Sequence, residues 1–423
     1  MKRILVFPCG SEIALEIHRS LKYSTHFELI GASSIDDHGK FVFEEYIGDL
    51  PFVTSPSFIL SITKIVKEKN IDAIFPAMDL VLDVLKKNEH VIGCKVVGSS
   101  YDTIHVCTSK MRTYDYLKDV VKVPQIYEEN KIDSYPVFVK PEIGYGARGA
   151  KLITSYDMLQ EYKKEYPDSI CCEYLSGEEY TLDCFTDRHG NLLFSAPRLR
   201  RRIVNGISVN TIPVPDVNKE FITIAQIINE KMHFRGAWFV QLKRDRNGVL
   251  TLLEIAARLG GSSALYRNLG VNFALLTLFD AFNYDVEIFY NSYDIELDRA
   301  LDDIYRISIS YNEVFVDFDD CILRHNGSLN IELISFLFQC VNEKKKITLL
   351  TRHRYNIYQS LKKYRIEELF DRIVHITDGA KKSQYIDNVD SLFIDDSFME
   401  RKDVAEHLHV PVFSPDMIKS LLK

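Results

Sequence analysis

A chain of 423 residues is long enough for two to four domains, and 46% apolar with 26% charged residues is an ordinary globular composition that excludes disorder as its main theme. Fifty-two Lys and Arg against 60 Asp and Glu give a net charge of −8, so a whole-chain basic footprint for nucleic acid or an anionic membrane is excluded as well. No apolar run approaches the roughly 18 residues of a membrane span. The opening Met1-Lys2-Arg3-Ile4-Leu5-Val6-Phe7 halts at Pro8 instead of extending into the apolar core of a leader. A cytoplasmic location is expected. The eight cysteines form no C-x-x-C pair and stand near no His in zinc-ligand spacing, which predicts reduced, mostly buried thiols.

In chain order, Ile4–Phe7 reads as a strand, Ser11 as the cap of a helix with Ile13, Ala14 and Ile17 inward, and Phe27–Ala32 as a second strand. A helix over Ser57–Lys69 leads to the apolar run Ile71–Phe75, and another leads to Lys95–Gly98. Strands alternating with helices imply a parallel α/β sheet over residues 1–108. The turn Pro8-Cys9-Gly10-Ser11 has a single glycine, so no dinucleotide fingerprint is present.

From Ser109 the texture turns α+β, through residue 297. Strands are expected at Val137–Lys140, Ser169–Tyr174, Tyr180–Phe185, Ala237–Leu242 and Leu250–Ile255, the last two joined by the hairpin signal Asp245-Arg246-Asn247-Gly248. Helical Val271–Phe282 closes this stretch. Lys140-Pro141 followed by Gly144, Gly146, Arg148 and Gly149 places a cation and a permissive backbone where phosphate oxygens can approach, although a lone glycine-rich hairpin is more often only a turn. The Walker spacing is missing. Arg198, Arg200, Arg201 and Arg202 form the densest positive cluster, which fits an anionic substrate or a solvated strand equally well. Cys171-Cys172 reads as strand packing. The acidic, unperiodic stretch from Asp294 to Asp303 is the candidate linker, with the domain boundary drawn at 298–310.

The last unit, residues 311–423, repeats the βα alternation: strand Glu313–Val316, helix Leu329–Val341, strand Ile347–Leu350, a helix to Tyr364, strand Ile373–Ile376, helix Lys382–Asn388 and strand Leu392–Ile394. It is long enough for a doubly wound domain. Its first strand ends in Asp317-Phe318-Asp319-Asp320, and later strands deliver Thr351 and Asp395-Asp396 to the same carboxyl edge, where ligands of parallel sheets bind. Acids converging on one point suit Mg²⁺, and Lys382 beside them offsets phosphate charge. A single Asp-x-Asp would be no more than a solvated strand end.

The ordered set Lys110, Lys140, Gly144–Gly149, Glu173-Tyr174-Leu175 with Glu179, then Gln241, Glu254 and Arg258, resembles the ATP-grasp superfamily, nearest to the ATP-binding half of a carbamoyl-phosphate synthetase large chain and its carboxylate-amine ligase relatives. The resemblance covers about residues 1–290, the first domain being the α/β domain that precedes an ATP-grasp domain. It implies that Lys110, Lys140 and Arg148 meet ATP phosphates under a closing loop, that Glu173 and Leu175 lie at the adenine hinge, and that Glu179 takes the ribose. Gln241 and Glu254 would hold Mg²⁺, and Arg258 would stabilise the transferred phosphoryl group. The usual Glu-x-Asn-x-Arg ending reads Glu254-Ile255-Ala256-Ala257-Arg258, with Ala256 where a metal-binding Asn is customary.

The C-terminal unit resembles the haloacid dehalogenase (HAD) superfamily of phosphatases, with four motifs in order. That likeness implies Asp317 as nucleophile, Asp319 as general acid/base, Thr351 and Lys382 on the phosphoryl group, and Asp317, Asp319, Asp395 and Asp396 around Mg²⁺. Lys381 is the fallback for Lys382, and Cys321 stands where Thr or Val is frequent. The intervals between motifs are filled by the expected helices and strands, so no cap domain fits and another body must exclude water. The expectation is a bifunctional enzyme: an ATP- and Mg²⁺-dependent ligase of a small carboxylate and an amine, joined to a phosphatase of a phosphorylated metabolite. The alternative is a phosphatase whose ATP-grasp module only regulates. No nucleic-acid or membrane partner is expected, and homo-oligomer formation is left open.

Overall fold

The computed structural model describes the chain apart from residues 145, 147, 292, 302–304 and 306. It divides into two compact units, residues 1–301 and 302–423. Tyr145 and Ala147 of the expected phosphate loop lie outside the described residues.

The first unit opens with a five-stranded parallel sheet in the spatial order Glu45–Ile47, Phe27–Ala32, Lys2–Phe7, Ala73–Pro76, Lys95–Val96. The strand at Ile4–Phe7 is fully apolar because both faces are covered by helices. Helix Glu12–Leu21 starts where Ser11 accepts the Ala14 N–H, as an N-cap should.

Two antiparallel sheets follow. The smaller runs Ile126–Tyr127, Ser169–Glu173, Val137–Pro141, Lys151–Ile153. The larger runs Leu250–Ala256, Gly236–Arg244, Glu179–Thr186, Leu192–Val204, Ile207–Pro213, Leu297–Asp298. The Asp245–Gly248 hairpin forms, its Gly248 in the left-handed region at φ 79°. Two expectations shift. Leu297-Asp298, inside the candidate linker, is an edge strand paired with Asn210 and Thr211, because Asp298 accepts from Arg202 and Asn210 across the edge. The parallel sheet and the larger antiparallel sheet share one apolar core, with Leu5, Ile30 and Leu82 in the same cluster as Leu182, Trp238 and Val240, so the texture change at 108 divides one packed unit. Strand Leu192–Val204 carries the arginine cluster.

The second unit is a parallel sheet ordered Arg372–His375, Lys346–Thr351, Glu313–Val316, Ser391–Ile394, Val412–Phe413. The first strand in sequence is central, as in doubly wound sheets. The helix expected over Lys382–Asn388 is only a short 3₁₀ turn, Lys382–Tyr385, because the Lys382 side chain turns inward to two carboxylates.

Candidate active sites

In the first unit a cavity of about 260 Å³ lies between the two antiparallel sheets, lined by Lys110, Lys140, Gly144, Gly146, Arg148, Glu179, Arg200, Gln241 and Glu254 among others. A narrower slot of about 80 Å³ adjoins it, sharing Phe138, Lys140, Glu179 and Leu253, and is lined further by Cys172, Glu173, Tyr174 and Leu175. One compartment is therefore small and largely apolar, the other cationic with two carboxylates in its lining.

Local structure explains the placement. Ser109 caps helix Lys110–Leu117 and so sets Lys110 at the cavity, where its Nζ lies 3.5 Å from the Glu142 carbonyl. Burial draws the Lys110 ammonium below its ordinary value, against the pull of Glu254 and with Lys140 adding repulsion. Lys140 is buried at the end of its strand and donates to the Tyr114 hydroxyl at 2.7 Å. Gly149 needs to be glycine: its φ is 75°, and a Cβ there would stand 2.9 Å from Pro141. At the hinge, a Cβ on Gly177 would meet the Arg244 backbone at 2.7 Å, so the chain crosses from the smaller to the larger sheet in close contact.

Gln241 and Glu254 are cross-strand neighbours, and the Gln241 amide donates to Glu254 at 2.6 Å. Arg200 donates to the Gln241 amide oxygen and ion-pairs Glu179 at 3.0 Å, and Lys243 reaches Glu179 at 3.4 Å. The Arg200 Nε is buried without a partner among the described residues. An orphaned guanidinium N–H at the cavity fits a phosphate, and the Glu254 carboxylate fits a hard cation, whereas the Gln241 oxygen expected beside it is taken by Arg200 and its NH2 faces Glu254.

The arginine cluster resolves residue by residue. Arg198, buried, donates through Nε to buried Asp183 at 2.6 Å, beneath the Gly260 turn, and is a packing charge. Arg200 lines the cavity, whereas Arg201 and Arg202 are exposed and pair with Glu296 and Asp298. Strand alternation puts Arg198 and Arg200 on one face, and a bulge after Arg200 turns Arg202 outward. Arg258 does not line the cavity. Its guanidinium pairs with Asp79 at 2.5 Å, at the start of helix Asp79–Lys87, and lies over the Phe239 ring. Ala256 is buried opposite Phe239, an apolar place that offers no ligand.

In the second unit, Lys382, only 3% exposed, bridges Asp317 at 2.9 Å and Asp395 at 2.5 Å. Burial opposes its charge, yet the two carboxylates hold its ammonium above the ordinary value. Burial pushes the Asp317 carboxyl up to about 6, against Lys382 and with Asp395 adding repulsion. Asp395 also accepts the Ser397 N–H at 2.8 Å, so it belongs to the lysine and not to the acid cluster expected around a cation. Ligand atoms of Asp317, Cys321 and Asp396 lie within 4.8 Å of one another, a set whose two carboxylates fit Mg²⁺. Thr351 is buried, its Oγ1 accepting the His353 N–H at 3.2 Å. Asp319 turns to His353, not to the cluster, with Nδ1 2.9 Å from each carboxylate oxygen. Lys381 points elsewhere, to Asp403.

Arg200 as a cavity residue, Tyr114, Asp79 and His353 were not singled out from the sequence. Two-residue alternation from Arg198 was the available signal for Arg200, while the other three meet their partners only across the fold.

The first unit has the architecture of a pre-ATP-grasp α/β domain followed by a domain with the ATP-grasp fold. Residues 165–294 match the family described as ATP-grasp in the biosynthetic pathway with Ter operon. A carbamoyl-phosphate synthase of Methanobrevibacter smithii is 22% identical over 129 residues, 27% of this chain and 35% of that protein. The chain spans about a third of the length of the curated relatives it matches. The biotin carboxylase domain of Hydrogenobacter thermophilus 2-oxoglutarate carboxylase, solved with MgADP, ADP and bicarbonate, superposes with a TM-score of 0.56 at 17% identity over 69% of this chain and 71% of that one. The L-amino acid ligase of Bacillus licheniformis gives a TM-score of 0.56 at 17% identity over 67% of this chain and 74% of that one. Among the described residues, no helix is long and apolar enough to cross a membrane.

Proposed function

We propose that the first unit is an ATP- and Mg²⁺-dependent carboxylate-amine ligase. The γ-phosphoryl group of ATP passes to a carboxylate oxygen of a small acid, releasing ADP. The acyl phosphate is attacked by an amine, and the carbon–nitrogen bond forms as phosphate leaves. The observation that carries this reading is the small apolar slot adjoining a cavity whose lining brings Lys110, Lys140 and Arg200 together with Glu254 and Gln241.

Adenine enters the slot beside Glu173 and Leu175, and the cations with Arg148 hold the phosphates. Glu179, tied to Arg200 and Lys243, meets the ribose. Gln241 and Glu254 would hold Mg²⁺, which would supply charge neutralisation on the transferred group. Arg258 reaches that group only by leaving Asp79, so it acts after a rearrangement of this pair. The ligase solved from Bacillus licheniformis supports the same reaction class.

Residues 311–423 carry the second half of the reading, a phosphatase of the haloacid dehalogenase type. It is supported by the side chains alone: Lys382 between Asp317 and Asp395, with Thr351 at the same sheet edge. Asp317 attacks phosphorus as the bond to the leaving oxygen breaks, and Asp319 gives that oxygen its proton. Water then attacks phosphorus, Asp319 takes the water proton, and the Asp317–phosphorus bond breaks to release phosphate. Mg²⁺ at Asp317 and Asp396 would supply charge neutralisation.

The test is ADP release from the full chain carrying Asp317→Asn, with Mg²⁺-ATP and pooled carboxylates and amines, with and without Glu254→Ala. Substrate-dependent ADP that vanishes in Glu254→Ala supports the ligase. ATP binding with no turnover on any pool would favour a regulatory ATP-grasp module attached to the phosphatase.

A further inference from the structure

We propose that His353 is a positioning residue that fixes the side-chain rotamer from which Asp319 acts on the leaving group, an inference that rests on the phosphatase reading above. Asp319 sits on the turn after the central strand Glu313–Val316, its side chain 48% exposed, and Asp320 next to it has φ 54°. A half-exposed carboxylate on such a turn has several rotamers open to it, and general acid catalysis needs one. His353 removes that freedom. Its Nδ1 stands 2.9 Å from both Asp319 oxygens, a bifurcated contact.

The imidazole is itself held on every side. It is buried, its Nε2 is 2.9 Å from Ser360 Oγ, and its ring meets Phe318 edge-on at 4.9 Å and Tyr355 at 5.7 Å. Its backbone is pinned too: His353 N donates to Thr351 Oγ1, and the His353 carbonyl is bonded by His375 Nε2 at 2.7 Å. The last residue of strand Lys346–Thr351 and the loop that follows thus carry both the threonine assigned to the phosphoryl group and the residue that fixes the acid. A carboxylate can only accept, so opposite it Nδ1 carries the hydrogen and Nε2 is left to accept from the Ser360 hydroxyl.

A purely packing histidine and a positioning one differ in which substrates they affect. Leaving-group protonation matters when the leaving group is a poor one, such as an alkoxide, and little when it is p-nitrophenolate. Full-length wild type, His353→Ala, His353→Asn and Asp319→Asn are compared on β-glycerophosphate and p-nitrophenyl phosphate, with thermal melting as the check on folding. His353→Ala is expected to lower kcat on β-glycerophosphate by at least about 10-fold with KM little changed, within the 10²–10⁴ span of general acid catalysis, and kcat on p-nitrophenyl phosphate by under about threefold. Asn, whose amide can occupy the Nδ1 place, restores most of the loss. An equal fall on both substrates, or no fall on either, overturns the positioning role while leaving the phosphatase reading intact. Wild type that hydrolyses neither, under conditions where Mg²⁺ is present, overturns both together.

Discussion

Removing Asp183 should weaken the first unit more than any surface change. Asp183 and Arg198 are each 3% exposed in the side chain and joined by one 2.6 Å bond. Arg198 Nη1 already lacks a partner among the described residues, so Asp183→Ala strands Nε as well and leaves a buried guanidinium uncompensated. Breaking a buried pair from one side costs about 3–5 kcal/mol, and a Coulomb estimate at an effective dielectric near 20 and ~4 Å gives ~4 kcal/mol. Against total stabilities of about 5–15 kcal/mol, ~4 kcal/mol is about a quarter or more of what holds a unit folded. The protein carries its own probe. Trp238, the single tryptophan, is buried on the neighbouring strand, stacked on Phe234 at 4.0 Å, and its Nε1 donates to Thr186 at 2.9 Å. Its fluorescence reports the first unit alone. Urea unfolding followed at Trp238 should show the midpoint falling by about 1–1.5 M if m is about 3 kcal/mol/M. Asp183→Leu with Arg198→Met removes both charges and should recover most of the loss. A single-variant loss below ~1 kcal/mol would place the pair among solvated ones and refute the argument.

Arg200→Gln should weaken ATP binding by roughly 10–100-fold, the worth of one charge-assisted contact of about 1.5–3 kcal/mol, measurable by calorimetry with Mg²⁺-ATP. Asp245 is held down to about 2, first by its bond to Lys122 and then by the Val249 and Asn247 N–H groups. A carboxyl depressed in the folded state adds stability above its unfolded pKa that is lost as pH falls through the folded one. Urea midpoints at Trp238 should therefore drop between about pH 4 and pH 2, and Asp245→Asn should flatten that slope. Lys382→Met should leave Asp317 and Asp395 buried and unpaired, raise both carboxyl pKa values further, and lower the melting temperature of the second unit. Calorimetry that finds its transition unmoved would contradict the bridge.

The sequence by itself determined the architecture, because periodicity is local. Ile4–Phe7 and Glu313–Val316 are continuous apolar runs that only a two-sided parallel sheet buries, and Ser11, Ser109 and Asn247-Gly248 are punctuation readable within a few residues. Motif order likewise brought Lys110, Lys140, Gln241 and Glu254 to one cavity, since strand ends and cross-strand registers follow once the strands are known. What the tertiary structure decided were the partners. Whether Arg198 is a packing charge and Arg200 a cavity charge depends on a bulge and on Asp183 and Glu179 across the sheet. Asp395 joins Lys382, Asp319 joins His353, and Arg258 joins Asp79, each through contacts between residues far apart in the chain. A carboxylate's role is set by the few ångströms around it. That distance is fixed by packing, and local sequence carries no record of it.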